Sequence, residues 1–260
     1  MNKLFSESIC FFAMNAATGK LKWTYTPEYS IRHNTIAIGN NRVYLIDRPQ
    51  AEIDRLRNPH KHVNREIEHP TGKLVALDAE NGQVLWENEE NIYGTLLALS
   101  TKHDALVMTY QYTRNSQFSE LGGRMTVFDA SNGSVIWDQS TGVDDQLEYR
   151  FSSRPIINDR TIYLEPFAWD LLTGEKLDYE FSRSYGCGII SASKYMLVYR
   201  SATLGYYDLV KNIGTENFGG IRPGCWINAI PAGGLVLMPD ATDRCNCSYL
   251  NKATIALKPY

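Results

Sequence analysis

Cysteine and arginine are the residue types whose placement in this 260-residue chain could do chemistry. The five cysteines are Cys10, Cys187, Cys225, Cys245 and Cys247, and none are adjacent. Cys187 and Cys225 stand in similar settings, Tyr-Gly-Cys-Gly and Pro-Gly-Cys-Trp, each opening an apolar run. The run after Cys225 returns through Gly233-Gly234, which brings Cys245 and Cys247 back toward Cys225. Three outcomes are open to these four residues: one or two disulfides, structural thiols, or a metal site with four soft ligands. The Cys-x-Cys pair lacks the Cys-x-x-Cys spacing common at zinc. Arg32, Arg154, Arg183 and Arg222 also each precede an apolar run, with His33, Asn34, Ser184 and Tyr185 beside them and Asn228 further on. Guanidinium groups hold carboxylate or phosphate in a fork, so such a set delivered to one mouth would take a small anionic ligand. The competing reading is local pairing with Glu28, Glu148 or Glu216, or packing over tyrosine.

Other chemistry has less behind it. His60, His62 and His69 fall in a charged stretch without apolar periodicity, which reads as a solvated loop more readily than as a metal site. Glu165 and Asp240 are single carboxylates without a surrounding catalytic set. No Cys-x-x-Cys-His, His-Glu-x-x-His, Gly-x-Ser-x-Gly or Gly-rich phosphate loop occurs, so no catalytic residue is assigned. Net charge is −3, which argues against a nucleic-acid partner. No apolar run approaches the roughly 18 to 20 residues of a membrane span. Ile9 to Ala13 is the only continuously apolar stretch near the start, too short for the core of a secretory signal.

The elements that would position these residues come from a repeat. An acid or amide, three residues, Gly, three residues and Trp recur as Asn15-Gly19-Trp23, Asp78-Gly82-Trp86 and Asp129-Gly133-Trp137. Asp170-Gly174 keeps the first two positions but has Asp178 at the third, and the copy around Asp208 and Asn212 has lost both Gly and Trp. Apolar or alternating residues flank each acid and Gly, so each copy is a hairpin cornered by an Asx-turn with a positive-φ residue. A second pair of strand-like runs precedes each hairpin: 34–38 with 43–46, 96–99 with 105–109, 155–157 with 161–164, 189–192 with 196–199, and 227–230 with 235–238. The units are therefore four antiparallel strands, and the acids lie 63, 51, 41 and 38 residues apart. A four-stranded blade takes roughly 40 to 45 residues, which places insertions at 49–71 and near 113–122. The expected fold is all-β: a β-propeller of about five to six four-stranded blades, in a single domain over 1–260. Two arrangements are open to the partial units at the ends: they merge into one closing blade with one strand in excess, or they belong to a larger ring with further blades upstream.

The segments ALDAENGQVLWE, VFDASNGSVIWD and AMNAATGKLKW resemble the repeat of the PQQ-like, quinoprotein alcohol dehydrogenase-like β-propeller family. Within that family the chain is similar in character to bacterial PQQ-repeat proteins of unassigned biochemistry. The resemblance implies that Trp23, Trp86 and Trp137 dock one blade on the next. It implies an exported, periplasmic protein in an oxidising compartment, which favours disulfides among the four cysteines. It also implies a non-catalytic scaffold or binding domain for a protein partner or small ligand. The alternative is part of a PQQ-dependent oxidoreductase with Ca²⁺. The family's adjacent Cys-Cys pair is missing, so that chemistry would need residues outside this chain.

Overall fold

Short runs of β-branched and aromatic residues broken by Gly, Asn and Asp form short antiparallel strands here. The computed structural model describes residues 7–55, 69–110, 123–141, 154–179, 181–224, 227–240 and 251–258. His60, His62, Cys225, Cys245 and Cys247 lie outside these residues. Two units divide the strands, one carrying β1 to β11 and the other β12 to β21.

The strands of the first unit are β1 (Glu7–Ser8), β2 (Phe11–Met14), β3 (Leu21–Tyr25), β4 (Ile31–Gly39), β5 (Arg42–Asp47), β6 (Gly72–Asp78), β7 (Val84–Ile92), β8 (Leu96–Ser100), β9 (Ala105–Thr109), β10 (Arg124–Asp129) and β11 (Val135–Ser140). They form sheets ordered β1-β4-β5-β6-β7, β11-β10-β9-β8 and β2-β3. The period of two in a strand decides which residues face which neighbour. Tyr44, Ile46, Leu74 and Ala76 share one face of the first sheet and pack against Leu97, Leu106, Met108 and Phe128 of the second. Val43, Leu45, Val75 and Leu77 share the other face and pack against Trp23 of the β2-β3 hairpin. The central strands are thus buried on both faces, as blades between blades must be. Within 49–71, residues Glu52–Arg55 form a helical turn, α1.

In the second unit, β12 (Ile156–Asn158), β13 (Thr161–Leu164) and β14 (Phe167–Asp170) form one sheet. The next contains β15 (Ser191–Ala192), β16 (Met196–Ser201), β17 (Thr203–Asp208) and β18 (Thr215–Phe218). The last contains β19 (Ile230–Ala232), β20 (Leu235–Met238) and β21 (Ile255–Leu257). The outer strand expected after Gly174 shrinks to a single bridge between Trp169 and Lys176, so this sheet has three strands among the described residues. Here too each face of the middle sheet is used. Leu197, Tyr199 and Tyr207 pack with Tyr163 and Tyr179 on one side, and Val198 and Leu204 with Ala229 and Met238 on the other.

Every recurring acid builds the same corner. Asp78 Oδ1 accepts from the backbone N–H of Glu80 and Asn81 at 2.8 and 3.1 Å, and the Gly82 N–H returns to the Asp78 carbonyl at 2.8 Å. Asn15, Asp170 and Asp208 accept from the matching pairs of amides, and Asp129 from Ser131. The residue closing the corner has positive φ: 69° at Gly19, 76° at Gly82, 77° at Gly133, 72° at Gly174 and 52° at Asn212. Gly82 and Gly133 have a second reason to be glycine. A Cβ on Gly82 would lie 2.6 Å from Trp23, and one on Gly133 would lie 2.6 Å from Trp86.

Candidate functional site

Trp23 and Trp86 each connect one repeat to the next. Trp23 Nε1 donates to the Ala79 carbonyl and Trp86 Nε1 to the Ala130 carbonyl, both at 3.1 Å, so each lies on the corner of the following repeat. Trp137 is half-buried on β11. Trp23 and Trp86 belong to packing, and the charged groups lie elsewhere.

The arginines singled out in the sequence are split between the units, Arg32 in the first and Arg154, Arg183 and Arg222 in the second. Arg32 opens β4 and is buried; its Nε lies 3.5 Å from Glu7 Oε1 and its Nη2 3.9 Å from Asp54 Oδ2. His33 is exposed, with Nε2 2.8 Å from Ser8 Oγ, and Asn34 is half-buried. Arg183 makes a two-pronged pair with Glu165, Nε to Oε1 at 3.0 Å and Nη2 to Oε2 at 2.9 Å. Both side chains are at least 94% buried. Arg154 is exposed and Arg222 buried. Asn228 is buried as well: its Oδ1 accepts from the Arg200 N–H at 2.7 Å, and its Nδ2 donates to the carbonyls of Cys187 and Gly224. That amide ties three backbone segments together. Asp240 is exposed. The thiol of Cys187 is free and half-buried, and that of Cys10 free and exposed.

Two buried arginines escaped the sequence reading. Arg48 follows β5 and Arg200 lies in β16, each 1% exposed. Arg48 Nη1 donates to the Tyr93 carbonyl at 2.7 Å, and the Arg200 guanidinium lies 5.0 Å from the centre of the Tyr185 ring. The available signal was Tyr-Gly, which recurs as Tyr93-Gly94 and Tyr185-Gly186. Both glycines press on the end of a second strand, since a Cβ would lie 2.9 Å from the Thr109 carbonyl at Gly94 and 2.4 Å from the Arg200 carbonyl at Gly186.

Several buried phenols are held protonated. Burial, with Asp47, Glu87 and Glu28 nearby, pushes Tyr25 up to about 12. Burial raises Tyr93, Tyr179 and Tyr199 as well. Neutral hydroxyls donate hydrogen bonds and do not serve as bases near neutral pH. The quinone cofactor with Ca²⁺ does not fit the described residues. Glu165 is committed to Arg183, Asp240 is exposed, and no three His, Cys, Asp or Glu side chains among the described residues converge as metal ligands.

Blades packed face to face and cornered by a repeated Asx-turn and indole define a β-propeller of PQQ-like repeats. The sequence model of the family described as outer membrane protein assembly factor BamB matches residues 6–183, and the chain belongs to that family. No curated protein matches the chain. Among solved structures, BamB from Moraxella catarrhalis is similar over 86% of this chain with 18% identity and a TM-score of 0.52. The match covers 60% of that protein, so this chain spans less than two thirds of its relative. The dihydro-heme d1 dehydrogenase NirN is similar over 90% of this chain and 45% of its own, with 13% identity and a TM-score of 0.52. Both likenesses concern the fold. Among the described residues no helix is long and apolar enough to cross a membrane.

Proposed function

We propose that this chain is a non-catalytic, protein-binding propeller of an exported bacterial protein, acting in the periplasm in the assembly of outer-membrane proteins. On this reading both units belong to one propeller domain over 1–260, with 49–71 as an insertion. The observation that carries it is membership of the assembly-factor family over residues 6–183. The disposition of charge agrees with it, because the buried carboxylate Glu165 and the guanidinium of Arg183 neutralise each other. The small anionic ligand expected from the arginine set gains no support, since Arg32 and Arg183 already face carboxylates.

The test is deletion of the gene in the bacterium that carries it, followed by gel assay of heat-modifiable outer-membrane β-barrels. A lower folded fraction, restored by the intact gene, is expected. An unchanged folded fraction, together with dye-linked alcohol oxidation by the purified protein given PQQ and Ca²⁺, would replace this reading with the oxidoreductase.

A further inference from the structure

We infer that the corner Asn15–Gly19 and the outward face of the β2-β3 hairpin form a seat for the outer hairpin of a further PQQ-like repeat, which lays its own tryptophan over Gly19. This inference is independent of the outer-membrane reading. The same seat recurs at two corners of this chain, where its occupant is seen. At the second corner Trp23 donates to the Ala79 carbonyl and lies on Gly82, and at the third Trp86 donates to the Ala130 carbonyl and lies on Gly133. Ala16 follows Asn15 as Ala79 follows Asp78 and Ala130 follows Asp129, and Gly19 stands four residues after Asn15 as the other two glycines do after their acids. The backbone matches as well. The Gly19 N–H returns to the Asn15 carbonyl and the Asn15 N–H to the Lys20 carbonyl, both at 2.8 Å, and Gly19 has a φ of 69°. The first corner therefore offers one carbonyl and one glycine in the arrangement that receives an indole twice elsewhere.

What differs is cover. Ala16 and Gly19 are exposed, whereas Ala79 and Gly82 are half-buried and Ala130 and Gly133 buried. A Cβ on Gly19 would meet nothing within 4 Å, against 2.6 Å to a ring at Gly82 and at Gly133. The strand leading into the corner differs in the same way. Counted back from Asn15, Phe12 and Met14 stand where the second repeat has Val75 and Leu77 before Asp78. Val75 and Leu77 are fully buried in the cluster that holds Trp23, while Phe12 is 54% and Met14 50% exposed. Phe11 and Ala13 point the other way and pack with Trp23 on that same cluster, so the hairpin is committed on one face only. The chemistry of the seat selects its occupant. A glycine without a Cβ admits a flat ring, the Ala16 carbonyl accepts one N–H, and Phe12 and Met14 favour apolar residues beside that ring. A Gly-x-x-x-Trp hairpin supplies all three.

The experiment uses the full chain and a fluorescein-labelled, backbone-cyclised hairpin peptide of residues 74–87, which carries the tryptophan of position 86, followed by anisotropy. Wild type should bind this peptide, and the same peptide with Ala in place of its Trp should bind about tenfold more weakly, as loss of a central aromatic anchor does. Gly19→Asn keeps the corner, since Asn accepts positive φ as Asn212 does at 52°, but it sets a Cβ under the incoming ring. That chain should lose binding by a similar factor. Phe12→Asp, at an exposed position, should weaken binding too and stands in for Gly19→Asn if that variant fails to give a cooperative melt. No binding to wild type, equal binding of the two peptides, or equal binding by wild type and the altered chains would overturn the inference. Self-association of the chain in sedimentation, abolished by Gly19→Asn, would put a second copy in the seat and overturn it likewise.

Discussion

The two units join neighbouring sheets in different ways. In the first, one indole per junction reaches over the next corner, donating its N–H to a backbone carbonyl and covering a glycine. In the second, Asp178 stands where the tryptophan would be, and the junction between the β13 and β16 sheets is filled by Tyr163, Tyr179, Phe181, Tyr199 and Tyr207. Their rings lie 4.9 to 6.4 Å apart, beside the buried Glu165–Arg183 pair. The same backbone corner therefore tolerates two kinds of junction, a single large anchor or many smaller contacts. The difference teaches that corner geometry is set locally by the acid and the positive-φ residue, while adhesion between sheets is set separately.

This contrast makes graded predictions. Trp86→Ala should cost about 3 to 5 kcal/mol by denaturant midpoint, because a large anchor is removed with no neighbour to replace it. A smaller loss would place the first unit's adhesion elsewhere. Arg183→Met should cost about 3 kcal/mol by leaving the Glu165 carboxylate buried alone, and adding Glu165→Leu should recover most of it. Failure of the double variant to recover would show that the pair's geometry, and not its charge balance, holds the junction. Tyr179→Leu should cost about 2 kcal/mol, since it removes ring contacts with Tyr163, Phe181 and Tyr207 but leaves those rings in place. A loss equal to that of Trp86→Ala would end the distinction between anchor and cluster. Asp170→Asn should matter least at neutral pH, under about 1 kcal/mol, because an amide oxygen can still accept from the corner.

The acid side of stability should reveal that last change. Burial opposes ionisation of Asp170, but the amides of Thr173 and Leu172 and the Arg160 guanidinium together hold its carboxyl below the usual range. A lowered folded-state value means the contribution is complete above about pH 4 and is lost as pH falls through the lower, folded value. Asp170→Asn should therefore flatten the acid limb of a stability-against-pH curve below about pH 4. An unchanged limb would show that the corner carboxylates carry no linked stability.

What the sequence disclosed follows the same division. The corners were legible because the acid and the Gly four residues on are dictated by one local hydrogen-bonding pattern, visible in Asp78 and Asp129 alike, with the Trp recurring at a fixed offset beyond them. The strand pairs ahead of them were legible from alternation, and 105–109 and 161–164 match β9 and β13 residue for residue. The aromatic junction was not, since Tyr163, Tyr179 and Tyr207 arrive from separate segments with no common period. Glu165 and Arg183 were each noticed, one as a lone surface carboxylate and the other as an anion receptor. Their pairing across 18 residues is a tertiary contact that no spacing rule encodes. Trp169 carries no corner motif, yet it is among the most deeply buried side chains.

The glycines beneath Trp23 and Trp86 have a consequence for the degenerate repeats. Asp178 fills the tryptophan position of the fourth repeat, and the next repeat closes its corner with Asn212, a residue that accepts positive φ but brings a Cβ. That Cβ would collide with an overlying ring, so the glycine requirement relaxes only after the ring is gone. Positions 178 and 212 are therefore coupled: a tryptophan restored at 178 would call for a glycine at 212, as Trp23 calls for Gly82 and Trp86 for Gly133.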